Sequence, residues 1–389
     1  MKQKINIAMI GGGFMGKAHS SAWQRVAQFF ELPVTPVLKV VVGSKTPLES
    51  FARSFGYEEV TYDWRSLLTR DDIDVVDIAT PPYMHKEMVL AFAARGVHIV
   101  CEKPFTLGVD DAKCMLAAAK KANIVHYLNH NYRRIPAVMY AKQLIDEGRL
   151  GKIYHWRGAY LQDWIMSPTF PLSWHLQKEF AGGGASYDIA CHAIDLARYL
   201  AGDILAVTSV NKTFIHKRPL PAKNAGPFRT EGAPTSNEMG DVTVDDASFS
   251  LVEFQNGALG SIEATRFAAG MKNANLFEIY GEKGAIAFDL ERMNELLFFD
   301  ATQPLAEQGF RRILATEAAH PYIAAWWPPG HSIGYEHTFV HAFYDFLNAV
   351  ASGGHISPNF EDGLEETRIL QAILQSGEQR RRVEIAEMK

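Results

Sequence analysis

The chain has 389 residues, 47% of them hydrophobic and 21% charged, with a formal net charge of −5. That length exceeds what one ordinary core holds, so two domains are expected, and the balance of residues is that of a globular protein. The mild acidity gives no reason to expect nucleic acid or a membrane surface as partner, and no apolar run approaches the roughly 20 residues that cross a bilayer.

Met1–Lys4 leads into a short apolar run and then glycines, which reads as a first strand rather than a signal peptide. Ile5–Ile10, Val37–Val42, Val75–Ala79, His98–Cys101 and Ile124–Leu128 read as buried strands, with helical stretches such as Ala112–Lys121 between them. Such alternation predicts a doubly wound parallel sheet over residues 1–133, covered on both faces. Pro136–Gly148 reads as a helix, with proline at its start and glycine at its end. Beyond it come a strand, Ile153–Tyr160, and one long helix, Ser186–Leu200. Strands then dominate: Val207–Phe214, Ala247–Phe254, Ala258–Ala264, Leu276–Tyr280 and Ala285–Phe288. Asn256-Gly257 and Glu282-Lys283-Gly284 fit hairpin turns, and the Pro-, Gly-, Asn- and Thr-rich stretch 217–243 reads as a loop. Glu336–Val350 and Leu364–Ser376 read as late helices. Residues 134–389 are thus expected to form an α+β domain with a large open, mainly antiparallel sheet, whose last helices are free to pack back on the first domain.

Gly11, Gly13 and Gly16 form G-x-G-x-x-G directly after the first strand. The first allows the tight turn, the second lets the backbone approach a pyrophosphate, and the third lets the helix pack close to the strand. The amides of Phe14, Met15 and Gly16 then open that helix and face the phosphates. A glycine-rich turn that binds nothing is the competing reading of a lone motif. At the end of the second strand, where a carboxylate normally holds the ribose 2′-hydroxyl of NAD, stand Ser44 and Lys45. A carboxylate would repel a 2′-phosphate, whereas these two can bind one, so NADP is expected to be accepted; a solvent-facing Lys45 with NAD held by backbone alone stays open. Thr80-Pro81 ends another strand and is expected to border the cofactor, with His85 either touching it or only opening a helix.

Glu102-Lys103-Pro104 follows the strand His98–Cys101, which places the lysine at the carboxyl edge of the sheet. A surface lysine at a turn is the bland alternative. On the predicted helix, Asp188, His192, Asp195 and Tyr199 recur at i, i+4, i+7 and i+11, a polar stripe among Ile, Ala and Leu. Such a stripe must find partners, either in a structural hydrogen-bond network or in a ligand. Gly182-Gly183-Gly184 before it permit a close backbone approach. Hydride transfer fits these groups. His192, with an ordinary pKa near neutrality, takes the hydroxyl proton; Asp188 orients it or binds a hydroxyl; and the Lys103 ammonium stabilises the developing alkoxide.

At these residues the chain resembles the glucose–fructose oxidoreductase/inositol dehydrogenase family (Gfo/Idh/MocA). Three motifs stand in order: the glycines at Gly11 to Gly16, Glu102-Lys103-Pro104, and G-G-G-x-x-x-D-x-x-x-H-x-x-D from Gly182 to Asp195. The resemblance implies that Lys103, Asp188 and His192 are the catalytic set, and that a Rossmann domain is joined to an open sheet that forms a subunit interface in a homodimer or homotetramer. It implies a sugar, anhydrosugar or inositol as substrate, and NAD or NADP as cofactor. Asn131-Tyr132-Arg133-Arg134, Tyr160-Leu161-Gln162-Asp163-Trp164 and Leu172-Ser173-Trp174 look most like a sugar-dehydrogenase branch. Gln162, Asp163, Trp164 and His175 are accordingly candidate pocket residues, with ordinary loop packing as the alternative. A redox-assisted glycoside hydrolase and a non-catalytic dinucleotide sensor are the competing functions.

The cysteines, Cys101, Cys114 and Cys191, form no disulfide framework and match no zinc spacing, which fits a reducing cytoplasm. No metal is expected. His126 and His130 are four apart, but on a strand running into a loop, which does not align them.

Overall fold

The computed structural model describes residues 2–43, 48–222 and 235–389. The chain divides into two compact units: residues 1–134 with 333–365, and residues 135–332 with 366–389.

The first unit alternates strand and helix. Strands β1 (Lys4–Ile10), β2 (Thr35–Val42), β3 (Glu59–Thr61), β4 (Val75–Ile78), β5 (His98–Cys101) and β6 (His126–Leu128) form a six-stranded sheet in the order β3-β2-β1-β4-β5-β6, and every pair is parallel. Helices α1 (Phe14–Phe29), α2 (Leu48–Phe55), α3 (His85–Ala94) and α4 (Val109–Ala122) link its strands. The central strands are largely apolar because both faces are covered: Ile7, Ala8, Met9, Val75, Val76, Ile99 and Val100 are all fully buried, with Asp77 the buried polar exception in β4. Strand order reverses between β1 and β4, the switch point where such sheets bind ligands beyond the carboxyl ends of their strands.

The second unit begins with α5 (Pro136–Asp146), followed by β7 (Ile153–Leu161), the single turn α6 (Lys178–Ala181), α7 (Ala185–Asp188) and α8 (Ala190–Ala201). Strands β8 (Ile204–Lys212), β9 (Lys217–Pro221), β10 (Thr235–Asp241), β11 (Ala247–Phe254), β12 (Leu259–Thr265), β13 (Ala274–Gly281), β14 (Gly284–Asp289), β15 (Glu295–Asp300), β16 (Arg311–Leu314) and β17 (Val383–Glu384) complete it. Nine strands make one sheet in the order β16-β15-β14-β13-β7-β12-β11-β8-β17, antiparallel except for β7 beside β12. Side chains alternate across it: Trp156 and Tyr160 of β7 and Phe277 and Ile279 of β13 share the buried face, against which α8 packs. Two late helices follow, α9 (Tyr335–Ser352), which belongs to the first unit, and α10 (Phe360–Gln379), whose residues divide between the two.

Two expectations need correction. The single helix over Ser186–Leu200 is two, broken at Ile189, whose φ of −111° lies off the helical path. Asp188 therefore closes one short turn and His192 sits in the first turns of the next helix, so a continuous i, i+4 stripe does not describe them. The stretch 217–243 is not loop throughout: β9 and β10 pair as an antiparallel ribbon, and β9 is strand despite Pro219 and Pro221 because both strands lie at an edge.

Candidate active site

In the first unit the carboxyl ends of the strands form a continuous row. Gly11 N–H donates to Val42 O, Ala79 N–H to Ile10 O, Glu102 N–H to Ile78 O and Asn129 N–H to Cys101 O, all at 2.8–2.9 Å. These bonds carry the parallel ladder one residue past the strands and set Gly11, Thr80 and Lys103 on neighbouring strand ends. Gly11 has φ of +126°, and a Cβ there would lie 2.5 Å from Ala79 O; a Cβ on Gly16 would overlap the Gly11 carbonyl. Only glycine permits this closeness of turn, strand and helix. Gly13 caps α1 with no side-chain bond, and the first helical bond runs from Lys17 N–H to Gly13 O, which leaves the amides of Phe14, Met15 and Gly16 outside the helical ladder. A cradle of bare backbone at the positive end of a helix dipole fits the pyrophosphate of a dinucleotide. Ser44 and Lys45 lie outside the described residues.

Thr80 and Pro81 follow β4, half-buried. His85 is fully buried: its Nδ1 lies 3.0 Å from Phe105 O and its Nε2 2.8 Å from Thr80 O. Its ring is spent on holding that turn, and burial pushes its pKa down. Glu102 is also turned inward. Its Oε1 accepts from His19 Nε2 at 2.8 Å and Asn129 Nδ2 at 2.6 Å, and its Oε2 from Lys103 N–H at 3.2 Å. Burial pushes this carboxyl up, but His19, Asn129 and the nearby Lys103 charge together hold it below its ordinary value. Lys103 itself is half-buried.

In the second unit a chain of contacts links the candidate pocket residues. Tyr160 packs against the His192 ring with centroids 5.7 Å apart, and its hydroxyl donates to Asn273 Oδ1 at 2.6 Å. Gln162 Nε2 donates to the same oxygen at 2.9 Å, and Gln162 Oε1 accepts from Trp164 Nε1 at 2.8 Å. The Arg266 guanidinium lies over the Trp164 ring, 5.4 Å from its centroid, and donates to Asp188 Oδ2 at 2.8 Å. His175 stands edge-on to Trp164 at 5.8 Å and stacks on Trp174 at 3.6 Å. His192 and Asp195 are buried, while Asp188 keeps 22% side-chain exposure. Asp163 departs from this set: its Oδ2 accepts from Gly270 N–H at 3.1 Å and Lys272 Nζ at 2.7 Å, and the lysine bond holds its carboxyl below the usual range. Tyr199 departs too, its ring taking the Lys142 ammonium of α5 at 5.7 Å.

The glycine run before α7 has a specific purpose. Asp245 accepts from Gly184 N–H, Ser186 N–H and Ser186 Oγ at 2.6–3.0 Å, and a Cβ on Gly184 would overlap the Asp245 backbone. That clamp fixes where Asp188 ends its turn. Sequence reasoning missed Arg266, Asn273 and Asp245 here, and His19, Asp77 and Asn129 in the first unit. The one signal for Arg266 was a charge closing the strand run of β12, which a pattern alone does not tell from a solvated end.

Among the described residues, no group of three or more His, Cys, Asp or Glu side chains could hold a metal ion, and no helix is long and apolar enough to cross a membrane. The three cysteines are free thiols.

Comparison with known proteins agrees with these features. Residues 5–130 match the oxidoreductase family with NAD-binding Rossmann fold, and residues 138–287 match the GFO/IDH/MocA C-terminal domain. Levoglucosan dehydrogenase of Pseudarthrobacter phenanthrenivorans is 46% identical over 377 residues, which is 96% of each chain. A solved levoglucosan dehydrogenase in complex with NADH and levoglucosan superposes with a TM-score of 0.92 at 44% identity, covering 98% of this chain and 100% of that one. An oxidoreductase domain protein from Kribbella flavida superposes with a TM-score of 0.93 at 45% identity, covering 99% and 100% of the two chains.

Proposed function

Since the chain belongs to the Gfo/Idh/MocA family of NAD-binding oxidoreductases and resembles its levoglucosan dehydrogenase branch, we propose that it oxidises a secondary hydroxyl of a sugar or anhydrosugar, with levoglucosan as the first candidate. The observation that carries this reading is the run Tyr160–Asn273–Gln162–Trp164–Arg266–Asp188, hydrogen bonds and one ring contact in sequence, beside His192. Amide, phenol and carboxylate groups interleaved with aromatic rings suit a ligand with hydroxyls on its rim and C–H bonds on its faces.

Bound NAD supplies the redox chemistry by taking hydride from the carbinol carbon. The protein's own groups handle the proton and the charge. A ring nitrogen of His192 takes the hydroxyl proton. Asp188, held by Arg266, fixes the substrate or the imidazole in place. The Lys103 Nζ stabilises negative charge as it develops on the carbinol oxygen. NADP is tolerated in this reading, because residues 43–46 carry no carboxylate to repel a 2′-phosphate.

We further propose that the protein works as a homodimer or homotetramer through the open face of the nine-stranded sheet. Val210, Phe249, Leu251 and Leu259 are between 51% and 70% exposed there, on the adjacent strands β8, β11 and β12. Contiguous exposed apolar side chains of this kind mark association surfaces.

The test is a panel of anhydrosugars, aldoses and inositols with NAD+ and with NADP+. Accumulation of reduced cofactor in step with substrate consumed is the expected result. Sugar release without such accumulation would establish a redox-assisted hydrolase instead, and no turnover of any kind a sensor.

A further inference from the structure

His19 lies at the centre of a fully buried charged network in the first unit that no role above uses. Its Nδ1 sits 2.9 Å from both oxygens of Asp77, and its Nε2 sits 2.8 Å from Glu102 Oε1. A neutral imidazole has one N–H and one lone pair, and a lone pair aimed at a carboxylate at this distance is repulsive. With carboxylates on both sides, the ring is an imidazolium that donates twice. Every carboxylate oxygen in the cluster has a donor: Asp77 Oδ2 also accepts from Trp23 Nε1 at 2.7 Å, Glu102 Oε1 from Asn129 Nδ2 at 2.6 Å and Glu102 Oε2 from Lys103 N–H at 3.2 Å. The rings of Phe339 and Phe343 lie 5.2 and 5.3 Å from the imidazole, and Trp23 stacks on Phe343 at 3.9 Å, so the network is walled off from water.

The network is poor value as a source of stability. Taking three charges out of water costs as much as their attraction returns, and a well-packed apolar cluster would serve the core equally well. What it does supply is geometry. His19 comes from α1, which the glycine cradle opens; Asp77 from β4; Glu102 from the end of β5; and Asn129 from the end of β6. A fully satisfied, dry hydrogen-bond network is rigid.

We propose that His19 is a positioning residue for Lys103, clamped between Asp77 and Glu102 so that α1, β4 and β5 are tied into one block that fixes where the Glu102–Lys103 turn leaves the sheet. The inference rests on Lys103 serving the reaction as proposed above. The raised pKa of His19, about 10, agrees: burial alone would lower it, but Asp77 and then Glu102 outweigh burial. The ring keeps its charge through the neutral range.

The experiment uses full-length His19→Gln, with Asp77→Asn as a second variant that leaves the imidazole in place, each compared with Lys103→Met. Hydrogen exchange followed by mass spectrometry needs no substrate. It is expected to show residues 101–107 exchanging at least about tenfold faster in His19→Gln, with β2 unchanged, because local opening is what the clamp suppresses. With levoglucosan and NAD+, kcat per folded enzyme is expected to fall about 100-fold with little change in KM or in NADH affinity, as a displaced catalytic group predicts. In the Lys103→Met background the His19 substitution should cost nothing further. Uniform acceleration of exchange across the first unit, or unchanged kcat in a variant with a lowered melting temperature, would overturn the positioning role. If His19→Gln does not fold, Asp77→Asn is held to the same expectations. Normal turnover by Lys103→Met would instead overturn the function of the lysine, while the exchange result still judges the clamp.

Discussion

Arg266 and Asp188 form a salt bridge at 2.8 Å in which the guanidinium side chain has no exposure and the carboxylate is 22% exposed. The two come from the end of β12 and the end of α7, 78 residues apart in sequence. Arg266 also donates to Gly184 O at 3.2 Å and His175 O at 3.4 Å. One buried planar cation thus aims the carboxylate, holds the glycine turn behind it and anchors the loop carrying His175. A lysine has neither the fork nor the plane to do all three.

Arg266→Lys is therefore expected to lower kcat/KM by about tenfold, and Arg266→Met by about 100-fold, because the second leaves Asp188 unaimed and the Gly184 and His175 carbonyls without this donor. Steady-state kinetics with levoglucosan, alongside thermal melting, checks this. A substitution that lowers the melting temperature but leaves kcat/KM intact would make Arg266 a purely structural residue.

Lys103→Met and His192→Ala are each expected to reduce kcat by about 1000-fold or more, the scale of losing an electrostatic stabiliser or a general base. Cofactor affinity should hardly move, since the glycine cradle does not involve either side chain. NADH fluorescence titration and single-turnover kinetics separate the two quantities.

Five of the first sheet's six strands were legible because they are buried on both faces and read as mainly apolar runs, such as Ile5–Ile10; the three-residue edge strand Glu59–Thr61 was not. His98–Cys101 has the predicted bounds in the structure. The break at Ile189 was hidden because the i, i+4, i+7 spacing of Asp188, His192 and Asp195 continues across it in the sequence. Glu295–Asp300 and Arg311–Leu314 were missed as strands: they lie toward one end of the sheet, Arg311–Leu314 at its edge, and owe their conformation to pairing with β14 and with each other. The candidate site divides the same way. Glycine motifs and Glu102-Lys103-Pro104 are local and show in the sequence. Arg266, Asn273 and Asp245 act across long sequence separations, and His19, three residues past the glycine motif, gains meaning only when Asp77 and Glu102 are seen on either side of its ring.

Gly11→Ala is expected to abolish measurable NADH binding and to lower stability by about 2 kcal/mol or more, because it adds a Cβ at positive φ against a backbone carbonyl. Fluorescence titration and denaturant unfolding test both parts. The loss of binding should exceed what the fraction unfolded accounts for.

His19 also sets a pH dependence of stability. Its pKa rises from 6.5 to about 10 on folding, so the folded state binds the proton more tightly than the unfolded one. The resulting stability is complete below pH 6.5 and is lost as pH rises toward about 10, at up to about 1.4 kcal/mol per pH unit. Glu102, depressed on folding, works in the opposite direction and costs stability on acidification. Urea unfolding across the alkaline range should show this slope in the wild-type protein and its loss in His19→Gln. Side-chain nitrogen shifts of labelled histidine should still report one imidazolium when the other histidines are neutral.

The exposed sheet face gives the last test. Val210 and Phe249 are direct cross-strand partners, and Leu251 lies two residues along β11 on the same face, all more than half exposed. A charge at Leu251 costs a monomer almost nothing, since the position is already solvated. In an apolar subunit interface the same charge must be buried without a partner, which costs several kcal/mol. Leu251→Asp is therefore expected to leave the thermal unfolding of the isolated subunit near that of the wild type but to shift the protein to a smaller species in light scattering after size-exclusion chromatography. An unchanged mass would place any oligomer contact elsewhere.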